Sequence, residues 1–183
     1  MTNDFYETPI QSIKSLALEI KATLPDIERI LDCGAGTGVI GSVLGLYIPH
    51  STIGGIEIDV SIKRPPHYAY WQQCNFLEFE SSNKALWQLY ISNPPFSHWR
   101  RFVTHMLELA NERNVYAKPV VVLGRLGLLE SQKRYTWWKS LPTPKLRVLS
   151  KRPSFTKGGT DNSAYAWYLF NFPAASKTLD WYP

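Results

Sequence analysis

The tetrapeptide Asn93-Pro94-Pro95-Phe96 is the segment whose residue types constrain chemistry most tightly. Two consecutive prolines fix their φ angles and supply no N–H, so the carbonyls of this turn are held outward with little freedom, and Asn93 adds a side-chain acceptor beside them. A preorganised pair of acceptors suits a planar amine. The lone pair of an amine on an aromatic base is delocalised into the ring, and acceptors on its two N–H bonds favour the pyramidal shape that frees it to attack an electrophile. No strong base is required. In this scheme the Asn93 side-chain oxygen and the Pro94 carbonyl accept from the amine, Phe96 stacks on the ring, and orientation and electrostatics supply the rate.

A second constellation lies 61 residues earlier, at Asp32-Cys33-Gly34-Ala35-Gly36-Thr37-Gly38. It closes a short apolar run and opens a helix, so its glycines let backbone approach a ligand while the helix start offers unpaired N–H donors. A nucleotide-like ligand fits there. Gly36 to Gly41 also satisfies the GxGxxG pattern, with Glu57 at a suitable distance to hold a ribose, so a nicotinamide or flavin dinucleotide is the competing ligand. Asp32 argues the other way. A carboxylate at the turn repels a pyrophosphate but attracts the ammonium of an amino acid, which favours S-adenosylmethionine.

The elements needed to position these segments follow from periodicity. Thr8 reads as a helix N-cap, Pro9 as the first helical residue and Gln11 as the capping-box partner. Ile10, Ile13, Leu16, Ala17, Ile20 and Leu24 then share one helical face, and Pro25 ends the run. Strands are predicted over 30–33, 52–58, 68–73, 89–92, 119–123, 146–149 and 164–170, with helices over 39–47, 99–112 and 128–138. This alternation predicts an α/β fold with a mostly parallel seven-stranded sheet, helices on both faces, and ligands beyond the carboxyl ends of the strands.

On these motifs the sequence resembles the class I S-adenosylmethionine-dependent methyltransferases, whose Rossmann-like fold the pattern would share. DCGAGTG is similar to their first motif, which implies cofactor contacts from Asp32, Gly34, Ala35, Gly36 and Gly38. Gly55-Ile56-Glu57-Ile58-Asp59 is similar to their second: the resemblance implies that Glu57 binds the ribose hydroxyls and Ile58 packs on the adenine. Cys74-Asn75-Phe76-Leu77 corresponds to the third, through Asn75 and Phe76, although the family more often has Asp at the position of Asn75. NPPF resembles the [DNS]-PP-[YFW] motif of amino-methyltransferases acting on adenine or guanine in nucleic acids or on glutamine in proteins. Phe5-Tyr6-Glu7-Thr8-Pro9 is similar to a segment preceding the first motif in several DNA adenine methyltransferases, which implies that Tyr6, Thr8 and Pro9 help to bind the methionine portion.

The charge distribution points to the acceptor. Residues 1–96 hold 6 Lys and Arg against 10 Asp and Glu, whereas residues 97–183 hold 14 against 5, giving halves of −4 and +9. Clustered cations gain by displacing phosphate counterions, so the second half is expected to meet a polyanion. Lys151 and Arg152 supply adjacent cations for phosphates, and Phe155 an aromatic for an extruded base. Arg100, Arg101, Lys133 and Arg134 extend a candidate backbone track. The run from Lys151 to Asn162 with Ala164 to Trp167 looks similar to small methyltransferases of phages and prophages, usually taken to act on adenine in DNA.

These readings predict one catalytic domain over residues 1–183, with no separate target-recognition domain, so that sequence preference would be loop-borne or supplied by a partner subunit. Two cysteines and four scattered histidines offer neither a disulfide framework nor metal-ligand spacing. No apolar run approaches the ~18 to 20 residues of a membrane span, and the cytoplasm, a host's if phage-encoded, is the expected location. The expected activity is methylation of adenine N6 in DNA. RNA bases, protein glutamine, a non-catalytic nucleic-acid-binding subunit and, through GxGxxG, an oxidoreductase are the alternatives.

Overall fold

The computed structural model describes residues 8–80, 86–111, 117–153, 162–173 and 176–183. Eight strands form one sheet: β1 (Arg29–Cys33), β2 (Thr52–Glu57), β3 (Tyr70–Gln73), β4 (Leu89–Ser92), β5 (Val120–Arg125), β6 (Lys145–Leu149), β7 (Tyr165–Phe170) and β8 (Leu179–Tyr182). Their order is β3-β2-β1-β4-β5-β7-β6-β8, with β7 antiparallel to both of its neighbours and every other pair parallel. The order turns around between β1 and β4. Connections leave in opposite directions there, and a crevice opens beyond the carboxyl ends of the two strands.

Both faces are covered. Helices α1 (Ile10–Thr23) and α2 (Val39–Tyr47) present Ile13, Leu16, Ile20, Ile40 and Leu44 to sheet residues including Ile30, Ile53, Ile91 and Trp167. On the other face α3 (Trp99–Asn111) buries Trp99, Phe102, Val103, Met106 and Ala110 against Leu31, Ile56, Tyr90 and Tyr168. Adjacent residues Ile30 and Leu31, or Trp167 and Tyr168, belong to opposite layers, as the two-residue period of a strand requires.

Three expectations need correction. Pro9, at φ −60° and ψ 122°, is the cap residue rather than the first residue of α1, and no side chain caps the helix there. Thr8 is buried, and the Pro9 carbonyl instead accepts from Ser12 Oγ at 2.8 Å. The helix expected over 128–138 is broken. Two 3-10 turns, Leu126–Leu128 and Gln132–Arg134, precede the short helix α4 (Tyr135–Lys139), because Ser131 stands at φ 124°, outside the right-handed helical region. Indole bonds hold this segment: Trp137 Nε1 donates to Thr104 Oγ1 at 3.0 Å, and Trp138 Nε1 to the Leu128 carbonyl at 2.8 Å.

The third correction is the strand count, eight among the described residues in place of seven. β8 escapes pattern reading because Leu-Asp-Trp-Tyr buries only its last residue well. A polar anchor holds it instead. Arg147 on β6 donates to Glu19 on α1, with Nε at 2.7 Å from Oε2 and Nη2 paired to Oε1, while Ser176 and the Tyr182 hydroxyl donate to the same carboxylate. Burial alone would raise the Glu19 carboxyl pKa, but the hydrogen bonds from Arg147, Ser176 and Tyr182 hold it below its ordinary value. Its stabilising contribution is therefore present above the unfolded carboxylate range and lost as pH falls through the lowered folded value. Glu19→Ala strands a buried guanidinium and should cost about 3 to 5 kcal/mol in urea unfolding, with faster hydrogen exchange along β8.

Candidate active site

Backbone geometry at the end of β1 sets the site. Gly34, Gly36 and Gly38 take φ values of 83°, 53° and 84°, which residues with a Cβ rarely adopt. The Gly34 and Ala35 amides both donate to the Ile56 carbonyl at 2.9 Å, so the loop folds back over the end of β2. At Gly34 the constraint is twofold, since a Cβ there would also stand 3.3 Å from the ring of Phe102. Glu57 completes the attachment: Oε2 accepts from the Gly36 amide at 2.6 Å and Oε1 from the Asp59 amide at 2.8 Å. The acid expected at a ribose thus also braces the glycine turn. Each of its oxygens has a second lone pair.

Asp32 lies beneath this loop, with no exposed surface. Its Oδ2 accepts from the Tyr68 hydroxyl at 2.6 Å, the same hydroxyl accepts from the Gly41 amide in the first turn of α2 at 3.0 Å, and Asp32 Oδ1 is buried without a hydrogen-bond partner. Desolvation pushes the carboxyl pKa up to about 7, against the lowering effect of the Tyr68 bond and with a further rise from the charge of Glu57. Asp32 is thus enclosed by protein, with Tyr68 and the loop around it. At Gly41 the packing excludes any side chain, because a Cβ would meet the Tyr68 ring at 2.3 Å.

The turn after β4 leaves the sheet beside the glycine loop. Leu31 pairs with Tyr90 and Asp32 with Ile91, and Ser92 Oγ donates to the Cys33 carbonyl, so Gly34 and Asn93 emerge at the same level. Pro94 is buried, and Asn93, Pro95 and Phe96 are half-buried. Phe96 begins a 3-10 turn (Phe96–His98) that runs straight into α3.

Between the two turns lies a cavity of about 250 Å3, lined by Gly34, Ile56, Ile58, Cys74, Asn75, Phe76, Leu77, Pro95, His98, Arg101 and Phe102. Residues expected at a cofactor (Gly34, Ile58, Asn75, Phe76) and one expected at the reacting amine (Pro95) thus share one space. Ile58 is 65% exposed, an uncovered aliphatic face at the mouth. Asn75 also has a local role: Oδ1 accepts from the Leu77 amide at 3.1 Å and Nδ2 donates to Glu78 at 2.8 Å, capping a 3-10 turn (Phe76–Glu78). Ala35, Gly36, Gly38 and Glu57 build the loop behind the cavity rather than its wall.

His98, Arg101 and Phe102 were not anticipated as lining residues. Their i, i+3, i+4 spacing, running from the end of the 3-10 turn into α3, was the available signal, since it places them on one face. Tyr68, which ties Asp32 to α2, had none. Thr8 and Pro9 sit at the start of α1, away from the cavity lining. Lys151 and Arg152 are exposed just past β6, at the sheet edge where β1, β4 and β5 also end. Arg100 lies over the Trp137 ring at 5.8 Å, and Arg134 Nη1 donates to the Gly127 carbonyl at 3.0 Å. Tyr6 and Phe155 fall outside the described residues. Among the described residues there is no grouping of side chains that could hold a metal ion, and no helix is long and apolar enough to cross a membrane.

The strand order, with its single inserted antiparallel strand, and the crevice between β1 and β4 define the fold of class I methyltransferases. No family model and no curated protein matches the sequence. Among solved structures the chain is similar to a Pyrococcus horikoshii protein assigned as an RNA methyltransferase, at TM-score 0.64 and 18% identity over 91% of this chain and 87% of that one. It is similar also to the modification subunit of a Vibrio vulnificus enzyme assigned as a type I restriction enzyme, at TM-score 0.67 and 16% identity over 92% of this chain and 45% of that one. The chain spans less than half of that subunit. A third likeness is to the plantazolicin methyltransferase BpumL, solved with SAH, at TM-score 0.58 and 12% identity over 87% and 82% of the two chains.

The raised Asp32 pKa carries a pH signature. The folded state binds this proton more tightly than the unfolded chain, so the stabilisation is complete below about pH 4 and is lost as pH climbs toward about 7. Asp32→Asn should flatten that slope, with wild type and variant melting curves compared between pH 4.5 and 8. A wild-type melting temperature that rises relative to the variant over that range would contradict the burial argument. Tyr68→Phe, which leaves the Gly41 amide and the carboxyl without their shared partner, should cost about 1 to 3 kcal/mol in denaturant unfolding.

Proposed function

We propose that the protein is an S-adenosylmethionine-dependent methyltransferase acting on the exocyclic N6 amine of adenine in DNA. The observation that carries this reading is the shared cavity, in which Gly34, Ile58, Asn75 and Phe76 face Pro95 of the NPPF turn. The residues fit the cofactor's nucleoside: Ile58 offers an exposed apolar face for an adenine with Phe76 in the wall behind it, Gly34 carries no Cβ to crowd the Phe102 ring that lines the cavity, and Glu57 retains acceptor capacity beside the loop. When bound, the cofactor supplies an electrophilic sulfonium methyl.

The chain's own residues handle the acceptor. Asn93 Oδ1 and the Pro94 carbonyl accept the two N–H bonds of the amine and hold its nitrogen lone pair toward the cavity. Methyl transfer to that nitrogen would form a C–N bond as the S–C bond breaks with its electron pair left on sulfur, and the amine would give up one of its two protons. The register of β4 against β1 supports the required alignment, since it brings Asn93 level with Gly34. Asp32, buried under the loop, contributes field rather than contact, and its negative form favours a cationic ligand above it.

A nucleic-acid acceptor is supported by the +9 balance of the second half and by exposed Lys151 and Arg152 at the sheet edge that carries the site. The likeness to a restriction-system modification subunit favours DNA, with a partner subunit as a source of target recognition. The likeness to a protein assigned to RNA methylation keeps RNA as the second reading.

Labelled methyl transfer from S-adenosylmethionine to duplex DNA, single-stranded DNA, RNA and protein, assayed side by side, separates these readings. The expected product is N6-methyladenine in DNA, identified by nucleoside mass spectrometry. Asn93→Ala should lower turnover by about 100-fold or more while cofactor affinity by calorimetry stays within about twofold. Near-normal turnover in that variant would remove Asn93 from the mechanism.

A further inference from the structure

The carboxyl end of β5 brings a cation onto the NPPF aromatic. Arg125, the last residue of β5, pairs with Tyr165, the first residue of β7. Its guanidinium carbon lies 4.7 Å from the centroid of the Phe96 ring and 5.9 Å from that of Tyr165, and its Nε donates to the Tyr165 hydroxyl at 3.0 Å. The two rings are 5.5 Å apart and tilted by 44°. The Tyr168 hydroxyl donates to the Arg125 carbonyl at 2.8 Å, so the backbone is anchored as well. Ser92 pairs with Val122, and Pro95 and Arg125 each stand three residues beyond.

A guanidinium is flat, weakly hydrated and able to stack on an aromatic face. Here it already occupies the place on Phe96 that an acceptor ring would take under the methyl-transfer reading, on which this inference rests. A ring seated between Phe96 and a second flat group needs two contacts of ~3.5 Å, a gap of about 7 Å, and the present gap is 4.7 Å. Arg125 must therefore shift by about 2 to 3 Å. Its flexible stem permits this while the charge stays over the site. The resulting slot, an arene on one side and a planar cation on the other, matches a heteroaromatic ring with two π faces. The amide of a glutamine side chain is planar too, but its face is far smaller than a base and covers little of either partner.

We propose that Arg125 is a positioning residue for a nucleobase acceptor: it covers Phe96 in the free protein and closes on the outer face of the entering base, which is then held between Phe96 and the guanidinium.

The test uses labelled S-adenosylmethionine with random-sequence single-stranded DNA and RNA oligonucleotides and a glutamine-containing peptide. Arg125→Ala should raise KM for the methylated oligonucleotide about tenfold, leaving kcat within about threefold and cofactor affinity unchanged. Arg125→Lys should not restore KM, because an ammonium cannot stack flat. Tyr165→Phe, which keeps the ring and removes the hydroxyl that accepts from Nε, should give a smaller rise and keeps the test decisive should Arg125→Ala fail to fold. An unchanged KM in Arg125→Ala, or in Tyr165→Phe should that variant stand alone, overturns the inference. So does full rescue by Lys, or a parallel collapse of kcat and cofactor binding. A wild type that methylates only the peptide overturns the nucleobase claim and the DNA acceptor with it while methyl transfer stands, and a wild type that transfers no methyl to any of the three removes the methyl-transfer reading itself.

Discussion

The closing of the β1 turn onto the end of β2 is the constraint on which the site depends. Two consecutive amides, of Gly34 and Ala35, converge on the single carbonyl of Ile56, and the next glycine reaches the Glu57 carboxylate. Such convergence demands left-handed backbone at alternate residues, which glycine alone adopts without strain. With the loop folded back in this way, the ends of β1 and β2 become one surface. The cavity floor, the mouth at Ile58 and the start of α2 all take their positions from it.

The underside of that loop is unusually polar for a protein interior. Asp32 and Tyr68 are fully or nearly fully buried, and the Tyr68 hydroxyl links the carboxyl to α2 through the Gly41 amide. A buried carboxyl resists ionisation, and desolvation pushes the pKa of this one up to about 7. A cation bound above the loop would draw the carboxyl toward its charged form.

On the far side of the crevice, the NPPF turn owes its placement to pairing rather than to its own rigidity. Prolines stiffen Asn93 to Phe96. Only the β4–β1 register and the bond from Ser92 to the Cys33 carbonyl bring that stiff turn level with the glycines. The same sheet edge gathers the ends of β5 and β6 and the start of β7, so Arg125 and Tyr165 meet Phe96 although both are distant from it in sequence, and Lys151 and Arg152 lie farther along that edge. The Arg147–Glu19 cluster extends this edge by fastening β8 outside β6.

The fold class and the two turns that flank the crevice were legible in the chain itself, because each rests on local chemistry. Helical and strand periods reveal which faces are apolar, glycines mark where φ must be positive, and paired prolines mark a stiff turn. β4 and α2 match their predicted bounds for this reason. Tertiary structure alone decided the rest. It buried Asp32 rather than exposing it at the cavity, turned Glu57 onto the glycine loop, broke the expected helix at Ser131 and added β8 through a polar anchor. It also brought Arg125 over Phe96. These are contacts between residues far apart in sequence, set by strand register and by the competition for buried hydrogen-bond partners, and no local pattern encodes either.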